Sequence, residues 1–303
     1  MTDAAVDWLL ASDEPAIAHL ARRDLLGEKA DPDPGQLLAG PIVQTLLQEQ
    51  DGHPYKKSGG AHWRLVSLVE LGLPAGEPRA LAAVESVLDW LTGDGHRRTI
   101  RVIDGLTRRC ASQEGNALAV CSRLGLASDP RVEQLAHSLL DWQWPDGGWN
   151  CDKRATGYRS SFNESLPPMW GLHEYAVATG AGWAADAAER AAELFLDHRL
   201  FRSLRSGEVI NPVWVVPHYP PFWHYDVTQA LLVLSRMGKA SDPRAAEGIE
   251  LLIARRRDDG LWRAGGAWWR KPGTNAPNVE VVDWGRGPSA MLTLNALRIL
   301  ESV

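Results

Sequence analysis

One spacing restricts this chain's fold more than any other feature. Four segments end in a helix stop of the same kind: Val69-Glu70-Leu71-Gly72, Ser122-Arg123-Leu124-Gly125, Ala176-Val177-Ala178-Thr179-Gly180 and Leu234-Ser235-Arg236-Met237-Gly238. Their glycines stand 53, 55 and 58 residues apart. Glycine suits the left-handed position just past a helix C-terminus. Three of the four are followed by a proline placed to open the next helix, at Pro78, Pro130 and Pro243, where its missing N–H costs nothing. A second marker, Asp-Gly, recurs at 51, 94, 146 and 259. The last step spans two periods, so the missing copy is expected near Arg205-Ser206-Gly207-Glu208. Each unit reads as helix, glycine stop, second helix, Asp-Gly turn, and a period above 50 built of two helices is an α/α-hairpin array.

Between the markers the apolar residues keep helical spacing, as in Val132, Leu135, Leu139 and Leu140. No alternating stretch is long enough to suggest a sheet. Twelve helices are expected, at 3–11, 14–26, 35–49, 60–71, 79–92, 110–124, 131–143, 162–178, 184–197, 222–237, 243–256 and 286–301. Turns inside the hairpins are short, whereas the connections 93–109, 144–161, 198–221 and 257–285 are long and fall at one end. Long connections in a compact domain tend to carry function. The reading is all-α: a single α6/α6 toroid over 1–303, with 1–45 completing the ring and 46–303 carrying the repeats.

Composition narrows the class. The chain has 303 residues, 45% of them hydrophobic and 23% charged, so it can bury a core. A formal charge of −6 argues against a nucleic-acid binder. No apolar run reaches the roughly 18 residues of a membrane span. The first residues carry acids where a signal peptide needs positive charge, and three cysteines are too few for a disulfide framework. The expected location is the cytoplasm. Tryptophan is in excess, 14 against 4 Phe and 5 Tyr.

Part of that excess lies in the turns. Gln143-Trp144-Pro145-Asp146-Gly147-Gly148-Trp149 and Arg257-Asp258-Asp259-Gly260-Leu261-Trp262 place a Trp just past Asp-Gly, and Gln48-Glu49-Gln50-Asp51-Gly52 keeps the Gln and the turn. These segments resemble the Q…DG.W repeats of the terpenoid cyclase and protein prenyltransferase superfamily. More closely, the chain resembles bacterial prenyltransferase and squalene-oxidase repeat proteins. The resemblance covers roughly 45–302 and implies an α6/α6 toroid whose central cavity takes an isoprenoid-type substrate. In such repeats Gln and Trp tie one helix end to the next turn, a structural role for Trp144, Trp149 and Trp262. Off-motif residues, among them Trp63, Trp223 and Trp284, are candidates for an aromatic cavity wall.

The family's chemical motifs are incomplete here. The Asp-x-Asp-Asp acid of the cyclases is absent, and Asp258-Asp259 belongs to a repeat turn. The prenyltransferases hold zinc with an Asp, a Cys two residues on and a distant His. Pro221-Phe222-Trp223-His224-Tyr225 resembles the His segment, but the Asp-x-Cys pair is missing. Cys151, Asp152, His224 and Cys110 are a conceivable tetrahedral set without a zinc signature, so no metal ligand is assigned and no cofactor is required.

Helix spacing places Cys110, Glu114, Ala117 and Cys121 on one face, which makes Glu114 a candidate desolvated acid with a raised pKa. Asn116 flanks it. Asn163 and Glu164 open one inner helix, and His224 and Asp226 the next; Glu114, Glu164, His224 and Asp226 are the catalytic candidates. First-turn capping is the structural alternative for Glu164 and Asp226. The binding candidates are Trp63, Cys110, Asn116 and Asn163 on the helices and His218, Tyr219, Trp223 and Trp284 on the long connections. Arg154 and Arg159 join them because Lys153–Arg159 resembles a diphosphate-binding loop of the prenyltransferases. The leading expectation is an acid/base enzyme for a hydrophobic or isoprenoid-type small molecule. Alternatives are a carbohydrate-active α/α toroid or a non-catalytic toroid that binds a ligand, a protein partner or another copy.

Overall fold

A computed structural model describes residues 4–29, 33–49 and 52–303. Gln50 and Asp51 of the first repeat copy, and residue 3 of the first expected helix, lie outside the described residues. The described chain is mostly helical: α1 (Ala4–Leu10), α2 (Pro15–Leu25), α3 (Pro34–Leu38), α4 (Pro41–Leu47), α5 (Ala61–Glu70), α6 (Pro78–Thr92), α7 (Asp94–Arg97), α8 (Ser112–Arg123), α9 (Pro130–Trp142), α10 (Phe162–Thr179), α11 (Gly182–Asp197), α12 (Val227–Arg236), α13 (Ala246–Ala254) and α14 (Ala290–Glu301). No helix is long and apolar enough to cross a membrane among the described residues.

The stop signals act as the spacing requires. Gly72, Gly125, Gly180 and Gly238 all have φ between 70° and 83°. After three of them the next N–H reaches back over the helix end, Leu73 to Leu68, Leu126 to Cys121 and Lys239 to Leu234, the Schellman closure that satisfies orphan carbonyls. Asp129 and Asp242 accept the N–H groups of Arg131 and Arg244 ahead of their prolines.

The repeat turns are equivalent in their hydrogen bonds. Trp149 Nε1 donates to Leu139 O at 2.9 Å, and Trp262 Nε1 to Leu252 O at 2.8 Å. The Trp backbone N–H meets the hydroxyl of Ser165 in one copy and of Thr293 in the other. Gln143 ties its turn to the next hairpin by donating to Ala187 O in α11.

Four expectations about elements are corrected. The segment 35–49 is two helices, because Pro41 opens α4 on its own and Gly40 lies against the Glu14 carboxylate. Residues 222–226 are not helical: Pro220, Pro221 and Phe222 (φ 52°) hold an irregular lead-in, and α12 starts only after Asp226 caps it. Asp94-Gly95 opens the short α7 instead of making a turn. A two-stranded sheet also exists, β1 (Arg101–Ile103) with β2 (Leu106–Arg108). Its turn is a further Asp-Gly, Asp104-Gly105, with φ of 50° and 76°, the doubly left-handed turn that suits a two-residue hairpin.

Six helices pack in succession: α5 on α8, α8 on α10, α10 on α12, α12 on α14 and α14 on α2. Leu20 of α2 in turn meets Gly72 at the end of α5. The helices α6, α9, α11 and α13 each pack on a hairpin partner among these: α5, α8, α10 and α12. Each of the six places one member of a charge cluster in its C-terminal half: Asp24, Glu70, Arg123, Glu174, Arg236 and Arg298. Glu70 pairs with Arg236 at 2.7 Å and with Arg123 at 3.1 Å, Arg123 reaches Glu174 at 3.2 Å, and Arg298 donates to Asp24 at 2.8 Å. Burial pushes the Glu70 carboxyl up, but Arg236 and Arg123 outweigh it and hold the group below its ordinary range.

Candidate functional site

A cavity enclosing about 100 Å³ lies between α5, α8, α10, α12, α14 and the 218–225 lead-in. Trp63, Trp170, Phe222 and Trp223 supply much of its wall, and Glu70 and Arg236 form its floor. Into this apolar space project Asn116 of α8, Asn163 of α10, Thr228 and Gln229 of α12, and the rings of His218 and His224. A few polar groups set in an apolar enclosure are the usual makeup of a small-molecule site. Of the residues singled out in the sequence, Trp63, Asn116, Asn163, His218, Tyr219, Trp223 and His224 line this cavity.

The imidazole of His224 stacks on Trp268 with ring centroids 3.8 Å apart. Burial, with His218 and Lys57 nearby, lowers its pKa to about 4, so at neutral pH the ring is uncharged, with a free lone pair but less basic than an ordinary imidazole. His218 also stacks on Trp268, with ring centroids 4.7 Å apart. The His218 backbone N–H donates to Asp226 Oδ2 at 3.0 Å. Asp226 is buried, accepts the Gln229 N–H through Oδ1 and so caps α12; it does not line the cavity.

Glu114 does not stand free as an acid. Its Oε1 accepts from Arg109 Nη2 at 2.7 Å and Nε at 2.9 Å, and lies 2.9 Å from His96 Nε2. Arg109 also holds Thr99 and Gln113. This ion-paired cluster fastens the 93–109 connection to the start of α8.

A third cluster stands beside it. Cys110 lies two residues before α8, Glu164 lies in the first turn of α10, and Cys151 lies in the connection between α9 and α10. Their ligand atoms all fall within 4.8 Å of one another. They are the residues that could hold a metal, since this is the one group of three His, Cys, Asp or Glu side chains with that geometry among the described residues. Cys151 Sγ is 3.6 Å from Glu164 Oε1, and Glu164 Oε2 accepts the Ser112 N–H at 3.1 Å. Burial raises the Glu164 pKa. The hydrogen bond between the two thiols holds Cys110 below the ordinary thiol range and Cys151 above it. Cys121, in contrast, is buried in α8 and pushed up to about 12 by burial.

The set Cys151, Asp152, His224 and Cys110 is not brought together. Asp152 is turned to Arg154 at 2.7 Å, and His224 belongs to the cavity wall. Arg154 is exposed and neutralised by that pair, while Arg159 lies over Tyr158 and lines a separate outer cleft with Asp146 and Arg190. The positive rim suggested by the arginine-rich loops is dispersed further, because Arg108 stacks on Trp144 and Arg202 pairs with Glu247. Trp284 packs against Tyr219 at 5.1 Å, behind the cavity wall.

Sequence reading passed over Tyr55 and His96. Tyr55 packs on Trp63 at 5.1 Å and bonds to Gln113, and burial raises its pKa. His96 follows Asp94-Gly95 directly, a position the repeat marker could have flagged. Comparison with known families finds no family model that matches the chain, and a search of curated proteins finds no match.

Proposed function

We propose that the chain is an α6/α6 toroid and that it acts as a cytoplasmic enzyme on a hydrophobic, isoprenoid-type small molecule bound in the central cavity. Ring closure is supported by the charge network, to which each of the six successive helices contributes one residue, with Asp24 and Arg298 joined across 274 positions of sequence. The catalytic reading is carried by one observation: polar side chains from three helices converge with a neutral imidazole on an otherwise aromatic space. His224 is the proton acceptor, Asn116 and Asn163 orient the substrate, and the faces of Trp63 and Trp223 stabilise positive charge as it develops.

The test is native mass spectrometry with neutral terpenoids and isoprenoid diphosphates of increasing length, paired with tryptophan fluorescence. Retention of one ligand per chain, weakened at least ~10-fold by Trp223→Ala, is the expected result. Turnover of any retained substrate should fall roughly 10²–10⁴-fold in His224→Gln. No retention across the series, with unchanged fluorescence, would remove the isoprenoid reading.

A further inference from the structure

We propose that Cys110, Cys151 and Glu164 bind one thiophilic divalent cation, zinc by the chemistry of the donor set, with a coordination position left open. Tetrahedral zinc with bonds of about 2.3 Å to sulfur and 2.0 Å to oxygen places neighbouring ligand atoms about 3.5 Å apart for S···O and about 3.8 Å for S···S. Cys151 Sγ and Glu164 Oε1 are already 3.6 Å apart, and no pair in the group exceeds 4.8 Å. Closure on an ion needs side-chain shifts of about 1 Å or less.

The backbone builds this arrangement. The N–H of Arg109 donates to Asn150 O at 3.0 Å, so the residues that follow, Cys110 and Cys151, leave two paired strands of chain side by side. Asn150 fixes the loop from both ends of its side chain: Oδ1 accepts the Asp152 N–H and Nδ2 donates to Arg159 O. Glu164 is oriented by the Ser112 N–H on Oε2, which leaves Oε1 turned to the sulfurs. A ligand held by an outer hydrogen bond of this kind is typical of metal sites. Two thiolates and a carboxylate select zinc over magnesium or calcium, which take oxygen donors. Three protein ligands leave the fourth tetrahedral position for water or a substrate atom, the pattern of reactive rather than structural zinc. Asn163, next to Glu164 in α10, lines the cavity, whereas Cys110, Cys151 and Glu164 do not. The competing fate of two adjacent thiols is a disulfide, which has no use for a carboxylate oriented onto the sulfur.

The experiment uses the full chain, reduced with a phosphine and stripped by a chelator, then titrated anaerobically with Co²⁺ and back-titrated with Zn²⁺. The expected result is a tetrahedral cobalt spectrum with thiolate-to-metal charge transfer that saturates at one equivalent and is displaced by one equivalent of zinc. Cys110→Ser and Cys151→Ser should each lose the charge-transfer band in proportion, and Glu164→Gln should keep it while weakening binding by roughly 10–100-fold. Cys121→Ser should bind as the parent does, and circular dichroism confirms the helical content of each variant. Two results overturn the proposal: a reduced, folded parent chain with no cobalt spectrum, or unaltered binding in both Cys110 and Cys151 variants. A Cys110–Cys151 disulfide in chain purified under air, combined with failure of the reduced chain to bind cobalt, overturns it in favour of a redox pair. None of these readouts involves an isoprenoid, so the outcome is separable from that of the cavity experiment.

Discussion

Trp149 and Trp262 make the same bond to the carbonyl ten residues back, at the end of the preceding outer helix. Replacing either by Phe keeps most of the packing and removes that bond, although Leu252 O retains the Arg255 N–H. Each substitution should cost about 0.5–1.5 kcal/mol in urea denaturation, and no loss at either would disprove the structural role of that bond. Glu280 offers a residue-scale test of opposite character. Burial raises its pKa to about 7, against the pull of the Val281 and Val282 N–H groups and Arg64. A carboxyl raised on folding adds stability below its unfolded pKa and loses it as pH climbs through the folded value. Between about pH 4.5 and 7 the chain should lose stability with rising pH. Glu280→Gln should flatten that slope and gain on the order of 2 kcal/mol at pH 8, read from unfolding midpoints at pH 5 and pH 8. The tryptophans and glycines of the repeat were legible in the sequence because their roles are local. Cys110 and Cys151 could be grouped from the sequence, but Glu164 as their partner in place of Asp152 and His224 could not, because a bond between two irregular segments sets that geometry, and irregular segments have no period. The partners of Glu114 were hidden for the same reason: helix spacing gives its face, but Arg109 and His96 reach it from a loop.

Among the elements, α8 and α10 approach most closely. Pro167 and Pro168 of α10 lie against the α-carbon of Gly115, and Gly171 lies against the Gly115 carbonyl, so a methyl group at either glycine meets backbone that cannot step aside. Gly115→Ala and Gly171→Ala should each destabilise by about 1–3 kcal/mol or more, whereas Gly182→Ala, with open space around it, should be neutral or slightly stabilising. Thermal unfolding of the three variants checks the contrast. Element existence was largely readable from spacing and stop signals. Element boundaries failed where a nonlocal contact decided them, as at Gly40 against Glu14, and where one Asp-Gly served a hairpin out of phase with the repeat.

At the scale of the molecule, the charge network sets the acid response. Glu70 is held ionised by Arg236 and Arg123, so its contribution is present above its unfolded pKa, near 4.5, and disappears as pH falls through the lower folded value. Melting temperature should therefore drop on acidification below about pH 4.5. Arg236→Met leaves Glu70 short of a buried partner and should cost roughly 3–5 kcal/mol at pH 7, with a shallower dependence on acid. A double-mutant cycle on Asp24 and Arg298 should return a coupling of about 1–3 kcal/mol, and additivity would argue against closure between α2 and α14. That pairing also has a consequence in time. A ribosome adding roughly 5–20 residues per second needs about a quarter to nearly a full minute to deliver Arg298 after Asp24. Through that interval α2 has its apolar face made but its neighbour unwritten, which makes the earliest helices, not the last, the stretch most in need of a chaperone.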